Sequence, residues 1–233
     1  MNAVFKREFK SYFSTPIGFI VLAAFYFFLG LFFSLIYQSG SPDISMVIMA
    51  MSTVAVFTMP VLTMRLMSED RRQKVDQALL TAPVKLTGIV LGKFFAALAV
   101  FALGFAPTVI FEIIIASYVS VNVMSYIYAL FGMLLLGSAL IAIGMFISSL
   151  TESSVISAIL TLVINILVLY MSNFASMINV SWIAAAVEKA AFISAAENFG
   201  ESVLSVPDIL YFVSISAAFL FLCVRSLDKR RWA

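Results

Sequence analysis

The stretch IGFIVLAAFYFFLGLFFSLIY, from Ile17 to Tyr37, decides the fold class because it is one continuous apolar run without a charged residue. The hydrocarbon core of a bilayer is about 30 Å thick, and a helix needs about 20 apolar residues to cross it. A charged residue at the centre of such a helix costs about 2.5–3.5 kcal/mol on insertion scales. The run therefore predicts a membrane-spanning helix.

The remainder of the chain repeats this pattern. Hydrophobic residues make up 63% of the 233 residues and charged residues only 11%. A soluble domain has about 45–50% apolar residues and about 25% charged residues. Strands of a membrane barrel would alternate apolar and polar residues, but these runs are apolar on every face. The sequence predicts an all-α integral membrane protein that forms one transmembrane domain over residues 1–233. Six spans are expected, at about 17–37, 44–66, 86–116, 126–147, 153–173 and 209–226.

The distribution of lysine and arginine predicts the orientation of these spans. Basic residues gather at three places: before the first span, between the second and third spans, and after the last span. With six crossings, these three places fall on the same side of the membrane. Only Lys189 of the 14 basic residues falls on the other side. Because basic loops stay in the cytoplasm, we expect both termini to be cytoplasmic, in a bacterial inner membrane.

Residues 3–14 carry aromatic residues at helical spacing, with basic residues on the remaining positions. This pattern is typical of a short amphipathic helix that lies in the headgroup layer of the bilayer. A topology signal and an interfacial anchor are compatible interpretations. The residues that define the helix are Phe5, Lys6, Arg7, Phe9 and Lys10.

The segment from Ser68 to Pro83 predicts a short, highly charged cytoplasmic helix between two spans. Ser68 is a candidate N-cap, and acidic residues in the first turn suit the positive end of a helix. One interpretation is a solvated loop that only enforces topology; the other is a docking helix that receives force from a cytoplasmic partner. Its candidate docking residues are Glu69, Asp70, Arg71, Arg72 and Lys74.

Two further connections carry information. In the turn from Ser148 to Ser154, Ser149 and Glu152 match the Ser-x-x-Glu capping box that begins a helix. Capping is the favoured interpretation there, and Glu152 is a possible second contact with a partner. The segment from Phe174 to Pro207 is too amphipathic to span and too apolar for an exposed loop, so it predicts re-entrant or interfacial helices.

Little in the sequence supports catalysis. The chain has no histidine and only one cysteine, Cys223, which argues against histidine-based metal or acid–base chemistry and against a disulfide. No phosphate-binding loop of the G-x-x-x-x-G-K-[ST] type is present. We therefore expect no catalytic residue, no metal site and no nucleic-acid partner. Glu112 and Asn165 are possible intramembrane polar sites, because polar groups inside a membrane are often functional; an interfacial position is the alternative for Glu112.

The chain resembles the permease subunit of type-2 ABC exporters, in particular the short gliding-motility-associated and nitrous-oxide-reductase-maturation-like branch. FKREFKSYFSTP, from Phe5 to Pro16, is similar to the amino-terminal interfacial "elbow" helix of that family. MRLMSEDRRQKVDQALLTAPV, from Met64 to Val84, is similar to its cytoplasmic coupling segment. The outer segment before the last span resembles its re-entrant helices, and DKRRW, from Asp228 to Trp232, resembles its basic ending.

This resemblance implies a pair of permease chains, identical or different, above two nucleotide-binding ATPase subunits. ATP and magnesium would bind the partner, which would dock through Glu69 to Lys74 and near Glu152. Two alternatives remain open: a non-transporting scaffold or sensor that recruits an ATPase, and an ion-coupled secondary transporter. Substrate-stimulated ATP hydrolysis would separate the exporter from the scaffold, and transport without ATP would favour the secondary transporter.

Overall fold

The computed structural model describes residues 1–38, 43–72, 85–118, 122–171, 192, 198–199 and 205–231. Within these ranges the regular structure is helical and contains no strand, which confirms the predicted all-α class. The helices are α1 (Asn2–Ser14), α2 (Pro16–Gln38), α3 (Ile44–Thr63), α4 (Ser68–Arg72), α5 (Leu86–Gly104), α6 (Ala106–Ala116), α7 (Val123–Leu150), α8 (Ser154–Leu169) and α9 (Val206–Arg231).

Five of the described segments are long and apolar enough to cross a membrane: Pro16–Gln38, Ile44–Arg72, Leu86–Ala116, Val123–Leu150 and Val206–Lys229. The protein is therefore a multi-pass membrane protein. The remaining expected span corresponds to α8, which has 16 residues. A helix that crosses the membrane needs about 20. Residues 172 and 173, at the expected end of that span, lie outside the described residues, and the count of six stays a prediction.

Helix α7 lies at the centre of the bundle and packs against α3, α5, α8 and α9. Its glycines allow close approach, as is common between membrane helices. A Cβ atom on Gly137 would overlap the ring of Phe101, and one on Gly144 would overlap the Thr63 hydroxyl. Small residues therefore set the distance between α7 and its neighbours.

The third predicted span is divided into α5 and α6 at Phe105. Pro107 lies in the first turn of α6, where its missing N–H leaves no hydrogen bond unsatisfied. The rings of Phe25, Phe101 and Phe105 meet edge to face, with centroids 5.2–5.6 Å apart. This aromatic cluster fixes α2 against the break between α5 and α6.

The outer faces of the bundle are apolar. Large side chains on α2 and α8 are half or more exposed in the isolated chain, among them Phe19, Phe27 and Ile159. Continuous exposed apolar surface of this kind marks a membrane or protein contact. In a chain with several membrane spans, these faces are suited to lipid.

The predicted re-entrant or interfacial helices between Phe174 and Pro207 lie largely outside the described residues. Phe192 and Phe199 of that segment are described, and both are buried. Phe192 meets Phe212 of α9 with ring centroids 5.4 Å apart, and Phe199 packs on Gly132 of α7. These two aromatic contacts attach the segment to the bundle.

Candidate functional site: the charged junction below α4

Helix α4 is held in place by the end of α7. The Ser148 hydroxyl accepts hydrogen bonds from the backbone N–H groups of Met67 (3.2 Å) and Ser68 (3.1 Å). It also donates to the carbonyl of Met64 at 3.0 Å. A serine hydroxyl offers one donor and two acceptor positions, so Ser148 uses all of them on the turn between α3 and α4. The beginning of α4 is thereby fixed to α7.

The capping interpretations of both turns are wrong. The Ser68 hydroxyl does not accept from the first turn of α4; it donates to the Met64 carbonyl and bonds the Ser154 hydroxyl at 3.1 Å. Ser149 lies within α7 and donates to the Phe146 carbonyl. Helix α8 is capped instead by Ser153, whose hydroxyl accepts from the Ile156 N–H at 3.5 Å.

A buried lysine lies beneath α4. Lys93, two turns into α5, has only 1% of its side chain exposed. Its Nζ atom lies 3.0 Å from Oε1 of Glu8 on α1 and 2.8 Å from Oδ2 of Asp70 on α4. Burying an unpaired charge is very unfavourable, so the two carboxylates make this position of Lys93 possible.

Arg7 completes the cluster. Its guanidinium contacts Glu8 and lies 3.9 Å from Oδ2 of Asp70. We call the four residues Arg7, Glu8, Asp70 and Lys93 the charged junction; its formal charges cancel. Burial lowers the pKa of Arg7, but the hydrogen bond that Arg7 donates to Glu8 and the negative charges of Glu8 and Asp70 raise it, with a net increase. The junction ties three helices, α1, α4 and α5, at one point.

Tyr12 attaches α1 to α3 beside the junction. Its buried hydroxyl donates to the carbonyl of Leu62 at 2.8 Å. Burial raises the pKa of the Tyr12 phenol, and the nearby Glu8 carboxylate raises it further. The phenol therefore stays neutral and remains a hydrogen-bond donor across the physiological range.

A second ion pair joins α4 to the turn before α8. Arg71 lies 2.8 Å from Oε1 of Glu152 and donates to the Leu150 carbonyl at 3.1 Å. Glu152, predicted as a possible second contact, is thus paired with the predicted docking segment itself. Arg72 is exposed and forms no ion pair with the described residues.

Two clefts flank α4. One, of about 320 Å³, lies between α1, α3 and α4 and is lined by Arg7, Ser11, Tyr12, Arg65 and Asp70, among others. The other, of about 550 Å³, is lined by Met64, Arg65, Glu69, Arg72, Ser154 and Val155. It opens where α3, α4 and α8 meet.

The structure brings together part of the predicted site. Five of its residues lie around α4: Glu69, Asp70, Arg71, Arg72 and Glu152. Of the residues of the predicted elbow helix, Arg7 joins the junction, Lys6 and Lys10 are exposed, and Phe5 and Phe9 stack with centroids 5.8 Å apart. Lys74 lies outside the described residues. Glu112 on α6 is half-buried and Asn165 on α8 is buried, both away from the junction.

Sequence reasoning missed Glu8, Lys93 and Ser148. Lys93 was counted only as one of the basic residues on the cytoplasmic side, although it falls within the expected third span and lies inside α5. A signal was present, because Lys93 is the only charged residue between Lys85 and Glu112. A lone charge in an apolar run requires a partner, although the sequence does not say which one.

A model of the ABC-2 type transporter family matches residues 1–187. The match includes α1 to α8, and with them the charged junction and α4. No curated protein sequence matches the chain significantly. The chain therefore belongs to the ABC-2 type transporter family, as a transmembrane permease and not as a nucleotide-binding subunit.

Proposed function

We propose that this permease moves a substrate outward across a bacterial cytoplasmic membrane, driven by a separate ATPase that docks at α4. It would work as a pair of permease chains over two ATPase subunits, with α1 as the interfacial elbow helix and the α4 end in the cytoplasm. ATP and magnesium would bind the ATPase. The resemblance to the gliding-motility-associated and nitrous-oxide-reductase-maturation-like branch favours export.

The observation that carries this proposal is that α4 is connected to α1, α5, α7 and the turn before α8. Asp70 reaches α1 and α5 through the charged junction, Arg71 reaches the turn before α8, and Ser148 of α7 holds the first N–H groups. A helix that is only a topology signal needs none of these contacts. A displacement of α4 would be passed to the bundle at several points.

The exposed side of α4 supports docking. Arg72 is exposed, and Glu69 and Arg65 form a partly exposed pair at 3.6 Å beside the larger cleft. Charges at the rim of an interface set orientation and association rate. Arg71, by contrast, is already paired with Glu152 within the chain. Its role is therefore to pass a movement of α4 to the bundle and not to bind the ATPase.

Charge reversal at Arg72 tests the docking surface. The chain would be purified in mild detergent together with the ATPase that it retains, and ATP hydrolysis by the complex would be measured in liposomes. Arg72→Glu should weaken ATPase association by about tenfold, since a close charge pair across an interface couples by about 1.5 kcal/mol or more. Unchanged association would refute docking at α4.

The matched control is Lys229→Glu, an exposed charge reversal near the end of α9. It should leave association unchanged, and both variants should insert into the membrane normally. Stimulation of hydrolysis by a transported substrate would support the exporter. Association of the ATPase without any ATP-dependent transport would instead support a scaffold.

A further inference from the structure

One face of α8 is polar although it points into the protein. Ser157, Thr161 and Asn165 follow one another at intervals of four residues, which places them on the same side of a helix. All three are completely buried. The opposite side of α8 carries exposed apolar residues such as Ile159 and Val163. We call these three buried residues the polar seam.

The polar seam has no hydrogen-bond partner in the described part of the chain. The orphaned atoms are the hydroxyl oxygens of Ser157 and Thr161 and both amide atoms of Asn165. Leaving a buried amide or hydroxyl unpaired costs about 1–3 kcal/mol by mutational measures. An amide alone offers two donors and two acceptor positions. The seam therefore needs partners that the neighbouring side chains do not provide.

Hydroxyls inside other described helices avoid this cost. Thr63 donates to the Met59 carbonyl at 2.9 Å, and Ser216 donates to the Phe212 carbonyl at 2.8 Å. Back-bonding of this kind is the usual solution for serine and threonine within a helix. Ser157 and Thr161 do not adopt it, so their hydroxyls remain available to a partner between the helices.

The seam lies where α8 packs on α3 and α7. The methyl group of Thr161 and the hydroxyl of Thr63 both approach Gly144 of α7. One turn before Ser157, Ser154 lines the cleft of about 550 Å³. Beyond Asn165, the Tyr170 hydroxyl lies 3.5 Å from the Thr53 hydroxyl of α3. Polar groups thus continue along α8 from the cleft to its far end.

We propose that the polar seam is a binding site for buried water, supplied from the cleft at the beginning of α8. Water suits the seam because it both donates and accepts, and a buried water typically makes about three hydrogen bonds. The seam carries no charge, so it does not attract an ion strongly. This inference is independent of the ATPase and of the proposed transport function.

Radiolytic hydroxyl labelling of the full-length protein tests the proposal, because radicals formed from a buried water modify the side chains beside it. Leu169 lies one helical turn beyond Asn165 on the same face and is completely buried. Leu29 of α2 is equally buried, and α2 packs mainly on α3 and not on α8, so Leu29 serves as the internal control. Because buried polar sites hold water and apolar ones stay dry, Leu169 should be modified about tenfold faster than Leu29.

A triple variant, Ser157→Ala, Thr161→Val and Asn165→Leu, supplies the second measurement. Removal of the polar groups should reduce Leu169 modification to the rate of Leu29. If Leu169 and Leu29 already react equally slowly in the unmodified protein, the seam is dry and the proposal is overturned. It is also overturned if Leu169 reacts fast but the triple variant reacts equally fast, because the label then comes from elsewhere.

Discussion

The charged junction and the polar seam solve the same problem in opposite ways. Both bury polar groups in a bundle that is otherwise apolar. In the junction, Lys93 meets two carboxylates within 3.0 Å, and Arg7 balances the total charge. In the seam, Asn165 meets no described partner at all.

The difference between them is one of charge. An unpaired buried ion is too costly to persist, whereas an unpaired neutral amide or hydroxyl costs about 1–3 kcal/mol and can be satisfied by water. Charges therefore have to be fixed by side chains from other helices, which makes the junction a mechanical connection. Neutral groups can rely on solvent, which leaves α8 free of polar ties to α3 along the seam.

Removal of the buried lysine should have the largest effect. Lys93→Met leaves Glu8 and Asp70 close together with only Arg7 to balance them. Breaking a buried ion pair from one side costs about 3–5 kcal/mol, so the free energy of unfolding should fall by that amount. Reversible unfolding in detergent would measure it.

Two further variants distinguish lost pairing from lost packing. Lys10→Met changes an exposed lysine of α1 and should alter stability by less than about 0.5 kcal/mol. A combination of Lys93→Met with Glu8→Gln and Asp70→Asn removes the stranded charges and should recover most of the loss. If the combination were as unstable as Lys93→Met alone, the charge argument would be wrong.

The sequence predicts much of the fold but little of the geometry at α4. Long apolar runs specify membrane helices without help from tertiary structure, and the all-helical class followed from them. The charged segment from Ser68 was also recognisable by its composition. The junction was not, because Glu8 and Lys93 are separated by 85 positions in sequence and no local pattern relates them.

The capping predictions failed for a physical reason that local patterns do not contain. Ser149 has the right spacing to Glu152, but α7 continues to Leu150 and retains Ser149 in its last turn. Glu152 is then available to Arg71, a partner from a different helix. The four-residue spacing of Ser157, Thr161 and Asn165 was visible in the sequence. Only their burial in the structure shows that this polar face points into the bundle and not toward lipid.

An intermediate effect is expected at Ser148, which combines features of both regions. Its hydroxyl is neutral, like the seam, but it is fully paired, like the junction. Ser148→Ala leaves the N–H groups of Met67 and Ser68 without their acceptor, and an unsatisfied buried donor costs about 1–3 kcal/mol. Amide hydrogen exchange should show faster exchange at these two residues, together with a lower unfolding free energy.

Ser149→Ala is the matched control for Ser148→Ala. The Ser149 hydroxyl donates to the carbonyl of Phe146 in its own helix, so its removal should not speed exchange at Met67 or Ser68. Equal exchange rates in the two variants would show that Ser148 does not hold α4.

The smallest effect is expected at the second ion pair of α4. Glu152 is 67% exposed and Arg71 is 29% exposed, unlike the buried Lys93. Exposed pairs contribute about 0.2–1 kcal/mol, and salt screens them. A double-mutant cycle with Arg71→Met and Glu152→Gln should give a coupling energy in that range, and the coupling should decrease in high salt. A coupling energy of about 3–5 kcal/mol, the loss expected for Lys93→Met, would mean that the turn before α8 is buried in the working protein. A coupling energy that salt does not change would mean the same. Glu152 was predicted as a possible partner contact. If the large or salt-insensitive coupling were found in the complex with the ATPase but not in the isolated chain, the partner would cover this ion pair.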